Sequence, residues 1–282
     1  MNAWDSGGTL SVEPNGAARD LKIPRHTLRH VFLAMVLAWA TASALENPWS
    51  RKLLELMRAL VQHSRGRYQV SPTLMRGPAD ILAALRGATQ FPLDFLDTAE
   101  LVGPALHQCA RIWREIARAQ LEIISPSPEG FIALEAALRA WATARLLWLQ
   151  EDAMALLSPA LYRDFVQPID EELASLFPCL AFHLHGTALW AIDALIHVPG
   201  IDVIELNLEA ARCDEPGTIA GWKKIQQHKP LVMWRLYSED FPAWLAMVLR
   251  EFPAKGLAIQ VSVHNVEEAR KVQDEFRKCA NR

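Results

Sequence analysis

The chain has 282 residues, 51% of them hydrophobic, and a net charge of −3, so it can bury a full core as one large domain or two small ones. Its Lys, Arg, Asp and Glu are interspersed without a basic stripe, which argues against nucleic acid as a partner. Four cysteines, Cys109, Cys179, Cys213 and Cys279, lie far apart with no Cys-x-x-Cys pair, which argues against a disulfide framework or a cysteine-only zinc knuckle and fits a reducing cytoplasm.

Residues 1–24 are rich in Gly, Ser, Asn and Pro without periodicity and read as a flexible arm ahead of one domain over 25–282. Val31 to Leu45 is an apolar run with Lys22, Arg25 and Arg29 before it. It imitates a secretion leader, but it starts late and is shorter than the ~20 residues that span a bilayer, so it reads as a helix or strand-plus-helix of the domain. Asn47-Pro48 opens a helix through His63, where Leu53, Leu54, Met57, Leu60 and Val61 recur at helical spacing. Tyr68 to Leu74 alternates like a strand, and Arg76-Gly77-Pro78 opens a helix closed by Gly87. Pro92 to Ile124 reads as helical in a short piece and a long one, and Ser125-Pro126-Ser127-Pro128 breaks the pattern. Arg145 to Asp152 reads as an apolar strand ending in Gln150-Glu151-Asp152, followed by a helix that starts at Ser158-Pro159.

The last hundred residues alternate regularly: strand 179–184, helix 187–196, strand 201–206, helix 216–227, strand 230–235, helix 239–251, strand 257–263, helix 265–279. Such βαβ repetition predicts a parallel sheet in a barrel or a doubly wound fold, and no glycine-rich phosphate loop follows any strand, so the fold expected is α/β, a TIM-type barrel. Strand parity then locates a site. Cys179, Ala181, His183 and His185 share one face, with Leu180, Phe182 and Leu184 on the other. Glu205 and Asn207 leave the next strand together near its C-terminal end, the same argument allows Arg235 there, and Gln260, Ser262 and His264 turn inward from the last strand. His183, His185 and His264, with Glu205 as fourth donor, suit zinc, which takes imidazole and carboxylate ligands and lowers the pKa of a bound thiol or water. Glu151 and Asp152, acids at the end of a parallel strand, and His264 are the candidate catalytic groups. Helix capping by His264 and a plain ion pair of Glu205 with Arg235 or Lys223 are the structural alternatives.

With these residues in view the chain resembles the uroporphyrinogen decarboxylase superfamily. The likeness rests on Arg76-Gly-Pro-Ala-Asp-Ile-Leu-Ala-Ala-Leu-Arg-Gly87, Gln150-Glu-Asp-Ala-Met-Ala-Leu-Leu-Ser-Pro-Ala-Leu-Tyr162 with Phe165-Val-Gln-Pro168, His183-Leu-His-Gly186 and His264, and covers about residues 47 to 280. It implies an (α/β)8 TIM-type barrel, N-terminally shortened relative to the family, and one of two chemistries. In the corrinoid-dependent methyltransferases a His-x-Cys pair and a later Cys bind zinc that activates a thiol; the matching positions here are His183, His185 and His264, with histidine for both cysteines. In the porphyrinogen decarboxylases, which need no cofactor, an arginine-rich N-terminal segment holds substrate carboxylates, and no counterpart occurs here. Zinc-assisted methyl transfer is therefore the leading expectation, followed by decarboxylation and by a non-catalytic barrel that binds a corrinoid protein. The candidate partners are a small-molecule substrate, a corrinoid protein and a second copy of this chain, with no membrane.

Overall fold

A computed structural model describes residues 9–11, 20–22, 43–124, 130, 132–134, 140–142, 146–208 and 216–280. Most of the N-terminal arm, the apolar run up to residue 42, and Cys213 lie outside these residues. The chain divides into two compact units: Met1–Val70, Met75–Ser125 and Glu151–Leu173 form one, and Ser71–Leu74, Pro126–Gln150 and Ala174–Arg282 the other. Among the described residues no helix is long and apolar enough to cross a membrane.

The first unit is helical. Helix α1 (Pro48–Ser64) begins where the Asn47 side chain accepts the Trp49 N–H at 2.9 Å, a cap that satisfies one of the orphan donors of a helix start. Helices α2 (Pro78–Arg86), α3 (Gln90–Asp97) and α4 (Ala99–Ile123) follow. Leu54, Met57, Leu82, Phe91, Val102, Leu106, Trp113 and Leu121 supply the buried stripes by which α1, α2 and α3 pack on α4. The Arg86 guanidinium holds the Asp94 carboxylate with two bonds, at 2.5 and 2.9 Å, tying α2 to α3 in a nearly buried pair. After the 3-10 turn Asp152–Leu156, Ser158 caps the next helix by accepting the Leu161 N–H at 3.2 Å. That helix widens into a π turn at Tyr162–Val166 and continues as α5 (Gln167–Ser175).

Two N-termini in this unit cap each other. Helix α2 starts at Gly77-Pro78, which offers no side-chain cap, and its buried Ala79 and Asp80 N–H groups, which have no intrahelical acceptor, donate instead to Glu151 Oε2 at 2.9 and 3.2 Å. In return Asp80 Oδ1 accepts the Ala153 N–H at 2.6 Å, capping the Asp152–Leu156 turn. Each carboxylate thus sits at the positive end of the other segment's peptide dipoles.

The second unit is built on a five-stranded sheet. Strands β1 (Leu146–Gln150), β2 (Cys179–His185), β3 (Ile201–Asn207), β4 (Leu231–Leu236) and β5 (Leu257–Ser262) are all parallel and adjacent in chain order. Helices α6 (Pro216–His228) and α7 (Phe241–Glu251) provide the crossovers from β3 to β4 and from β4 to β5, and α8 (Val266–Ala280) follows β5. This is the α/β alternation expected from the sequence, with five strands of the parallel sheet among the described residues. Leu147, Leu149, Leu180, Phe182, Leu184, Ile204, Leu206 and Met233 are almost completely buried on one face. On the other face Leu146, Trp148, Ala181 and Val232 form a cluster, joined by Cys179 and Val203. The expected strand at Tyr68 to Leu74 is not formed, and only Arg76 makes an isolated bridge there. Pro72 in its middle has no N–H to give to a ladder.

Candidate functional site

The face that carries the Trp148–Ala181 cluster also carries the histidines, and the strand register puts their neighbours alongside. Gln150 of β1 and Glu205 of β3 lie opposite His183 of β2, and Asn207 lies opposite His185. Small residues make room for this. Cys179 and Ala181 occupy the two positions before His183 on the same face, so the Trp148 ring slides beneath the imidazole, with centroids 5.0 Å apart. The Trp148 N–H donates to Gln150 Oε1 at 3.4 Å, which fixes the indole as the floor. Trp148 is 1% exposed and His183 6%, so the imidazole is screened from water on that side.

Three side chains form a relay. His183 Nδ1 and Glu205 Oε2 are hydrogen-bonded within the buried interior. An ionised carboxylate only accepts, so His183 carries its proton on Nδ1 and turns the lone pair of Nε2 the other way. There it meets His185 Nε2 at 3.0 Å, the two rings standing at 89° to each other. Glu205 is fully buried, and its second oxygen, Oε1, has no hydrogen-bond partner. Zinc–nitrogen bonds run near 2.0–2.1 Å, so two imidazole nitrogens on one tetrahedral ion stand about 3.3 Å apart, and the observed 3.0 Å spacing is a few tenths of an ångström shorter. Glu205 then occupies the position of an outer carboxylate that orients the ligand and raises its basicity. It bonds the ring nitrogen facing away from His185, so its geometry is that of an orienting group, not of the fourth ligand expected from spacing.

His264 does not join this group. Strand β5 ends at Ser262, and His264 is exposed, with its backbone N–H donating to Glu268 Oε2 at 2.8 Å. The Asn265 side chain accepts the Glu268 N–H at 2.9 Å. This capping box ends the pleat two residues early, so parity carries no further than Ser262. Among the described residues His264 belongs to no set of three metal-type ligands within 4.8 Å of one another. Arg235 also differs from expectation. It lies 4.8 Å over the Trp244 ring of α7 and bonds Ser238 and Asp240, on the helix side of the sheet. Its neighbour Trp234 takes the inward position instead, donating to Ser262 Oγ at 2.8 Å.

The two acids after β1 belong to the other unit. Asp152 opens the 3-10 turn, and Glu151 is 1% exposed, committed to the N-terminus of α2. Burial pushes the Glu151 carboxyl far above the usual carboxylate range, and the neighbouring Asp170 and Asp80 push it further. The same desolvation raises Asp80 to about 6. Glu151 is thus held by a structural contact of α2, away from solvent.

Fold and site together define the class: an α/β protein with a parallel sheet whose adjacent strand ends present a buried carboxylate–imidazole–imidazole relay. No protein-family model and no curated protein sequence matches the chain.

Proposed function

We propose that the chain is an enzyme of the uroporphyrinogen decarboxylase superfamily on an (α/β)8-type barrel, closest to its corrinoid-dependent methyltransferase branch, with zinc held by His183 and His185. The observation that carries this reading is the 3.0 Å approach of two imidazole nitrogens at the ends of parallel strands, with Glu205 behind one of them. Carboxyl ends of parallel strands are where barrel enzymes assemble their sites. The sequence likeness at Arg76 to Gly87, Gln150 to Tyr162 and His183 to Gly186 supports the same family.

In this reading Glu205 holds the Nδ1 proton of His183 and so keeps Nε2 unprotonated. His185 brings the second lone pair, and Trp148 closes the floor against water. A zinc ion bound there supplies Lewis acidity that favours a thiolate at neutral pH. Neutral imidazoles donate less charge than thiolates, so the site is a harder and more electrophilic one than the cysteine-bearing sites of the family.

Metal analysis of protein prepared without a histidine tag tests this. Wild type and His264→Ala are expected to carry about one equivalent of zinc, and the His183→Ala, His185→Ala double variant almost none. Equal and negligible zinc in all three overturns the proposal. Turnover of uroporphyrinogen without zinc would move the reading to a cofactor-free decarboxylase, in which the same relay passes a proton. Co-purification with a cobalamin-carrying protein and no turnover would instead favour a binding subunit.

A further inference from the structure

The sheet face that carries the imidazoles has a second hollow, near the N-terminal ends of its strands. A cavity of about 270 Å³ is lined by one side chain from each of the five strands, Leu146, Cys179, Val203, Val232 and Ala258, with Pro230 and Gly256 at its rim. The register sets Leu146 beside Cys179 and Val232 beside Ala258. Barrel interiors are ordinarily closed by layers of bulky branched side chains, but cysteine, alanine and glycine leave this layer unfilled. Spaces of this size are uncommon in close-packed proteins. Trp148 and Ala181, the next inward residues along β1 and β2, precede His183, so the cavity and the relay are two sites on one face.

We propose that this cavity binds a small uncharged apolar molecule of about ten carbon atoms, the size of two fused rings. Its walls offer little to a polar one. Along the rim the Ile204 N–H donates to the Pro230 carbonyl at 3.1 Å, the Leu231 N–H to Gly256 at 2.8 Å and the Leu257 N–H to Ala254 at 3.2 Å, and proline has no N–H to give. Of the lining side chains only Cys179 carries a polar atom. Burial pushes its thiol up to about 12, so it is uncharged at neutral pH. The volume equals that of roughly nine waters at about 30 Å³ each, and every buried water needs two to four polar partners that such walls do not supply. An apolar solute gives up no hydrogen bonds on entering and is removed from water by all five strands.

Charge and size together select the occupant. No Lys, Arg, Asp, Glu or His lines the cavity, so nothing there would balance a carboxylate, a phosphate or an ammonium, and burying an unpaired charge is far costlier than leaving it in water. For scale, a dry cavity of about 150 Å³ accepts benzene. A space roughly twice as large therefore suits a bicyclic ring. Because the imidazoles stand beyond Trp148, the inference does not depend on zinc, and the two proposals are tested by different measurements.

Naphthalene is the probe and naphthalene-2-carboxylate its charged control, both titrated into the full chain. Naphthalene should bind saturably with a Kd of about 0.1 mM, the scale that ten carbon atoms support, and the carboxylate roughly 10-fold or more weakly. Nuclear Overhauser contacts on wild type should join naphthalene protons to the methyl groups of Val203 and Val232. Ala258→Ile and Val203→Phe put extra carbons into the cavity and should each weaken naphthalene roughly 10-fold or more, with urea unfolding to show that both remain folded. The methyl contacts need no variant, so they decide the matter if either substitution prevents folding. Absence of saturable binding, which filling of the cavity by the chain's own residues or by a second copy would give, overturns the proposal. So do equal affinity for the two probes, contacts to other methyl groups alone, or unchanged affinity in both folded variants.

Discussion

Glu205→Ala is expected to weaken zinc binding by roughly 100-fold or more, while Glu205→Gln weakens it by about 10-fold, because outer-shell partners of metal-binding histidines typically contribute 10- to 100-fold in affinity. The difference comes from what each variant leaves for His183. Glutamine keeps a carbonyl oxygen for the Nδ1 proton but removes the negative charge that makes the ring a better donor. Alanine removes both, so the ring can flip or change tautomer and turn an N–H toward His185, where a lone pair is needed. The stability cost is smaller than the full burial of this carboxyl suggests. Glu205 Oε1 has no partner, so deleting the group relieves one desolvated oxygen while orphaning the His183 N–H, and the net loss is set by that orphan at about 1 to 3 kcal/mol. Competition of zinc against a chelator gives the affinities and urea unfolding gives the stability. Equal zinc affinity in the alanine variant and wild type would remove Glu205 from the site.

How much of this was readable in advance depends on whether a signal is local. Pleat parity is local: Cys-Leu-Ala-Phe-His-Leu-His at 179–185 alternates small or polar residues with bulky apolar ones, and the structure places the two sets on opposite faces. The same alternation in Ile201–Asn207 brought Glu205 beside His183. Parity does not say which ring nitrogen a neighbour will bond, so Glu205 reads from spacing as a ligand and from geometry as the group behind one. The His264 expectation extended the pleat past its end, although Asn265 and Glu268, three apart, carry a capping-box signature that marks a helix start there. Arg235 is a slip of one residue. Trp234 and Ser262 form an inward pair, and Phe241 and Trp244 draw the guanidinium to the helix side. Glu151 is the instructive case, because its role depends on a contact 72 residues away. The Gly77-Pro78 start offers the clue that α2 lacks its own cap, but nothing local identifies the carboxylate that supplies it.

Gly200→Ala is expected to cost upwards of about 3 kcal/mol and to weaken zinc binding with it, since backbone strain and a steric clash coincide at this position. Gly200 has φ +84° and directly precedes β3, so it makes the turn that delivers Glu205 five residues later. A Cβ there would stand 2.5 Å from the Ala174 carbonyl oxygen and 2.8 Å from its carbon. Those are backbone atoms of α5 and cannot swing aside as a flexible side chain would. Relief requires α5 or the start of β3 to move, and a shift of β3 along its neighbour changes the register that pairs Glu205 with His183. Gly66 isolates the cause. Its φ is +76°, with nothing within 4 Å of an added Cβ, so Gly66→Ala bears only the left-handed backbone cost of about 1 to 2 kcal/mol. Urea unfolding of both variants, with zinc affinity measured on the folded fraction, separates the two contributions. If Gly200→Ala is no less stable than Gly66→Ala, the close approach to Ala174 does not hold β3 in place.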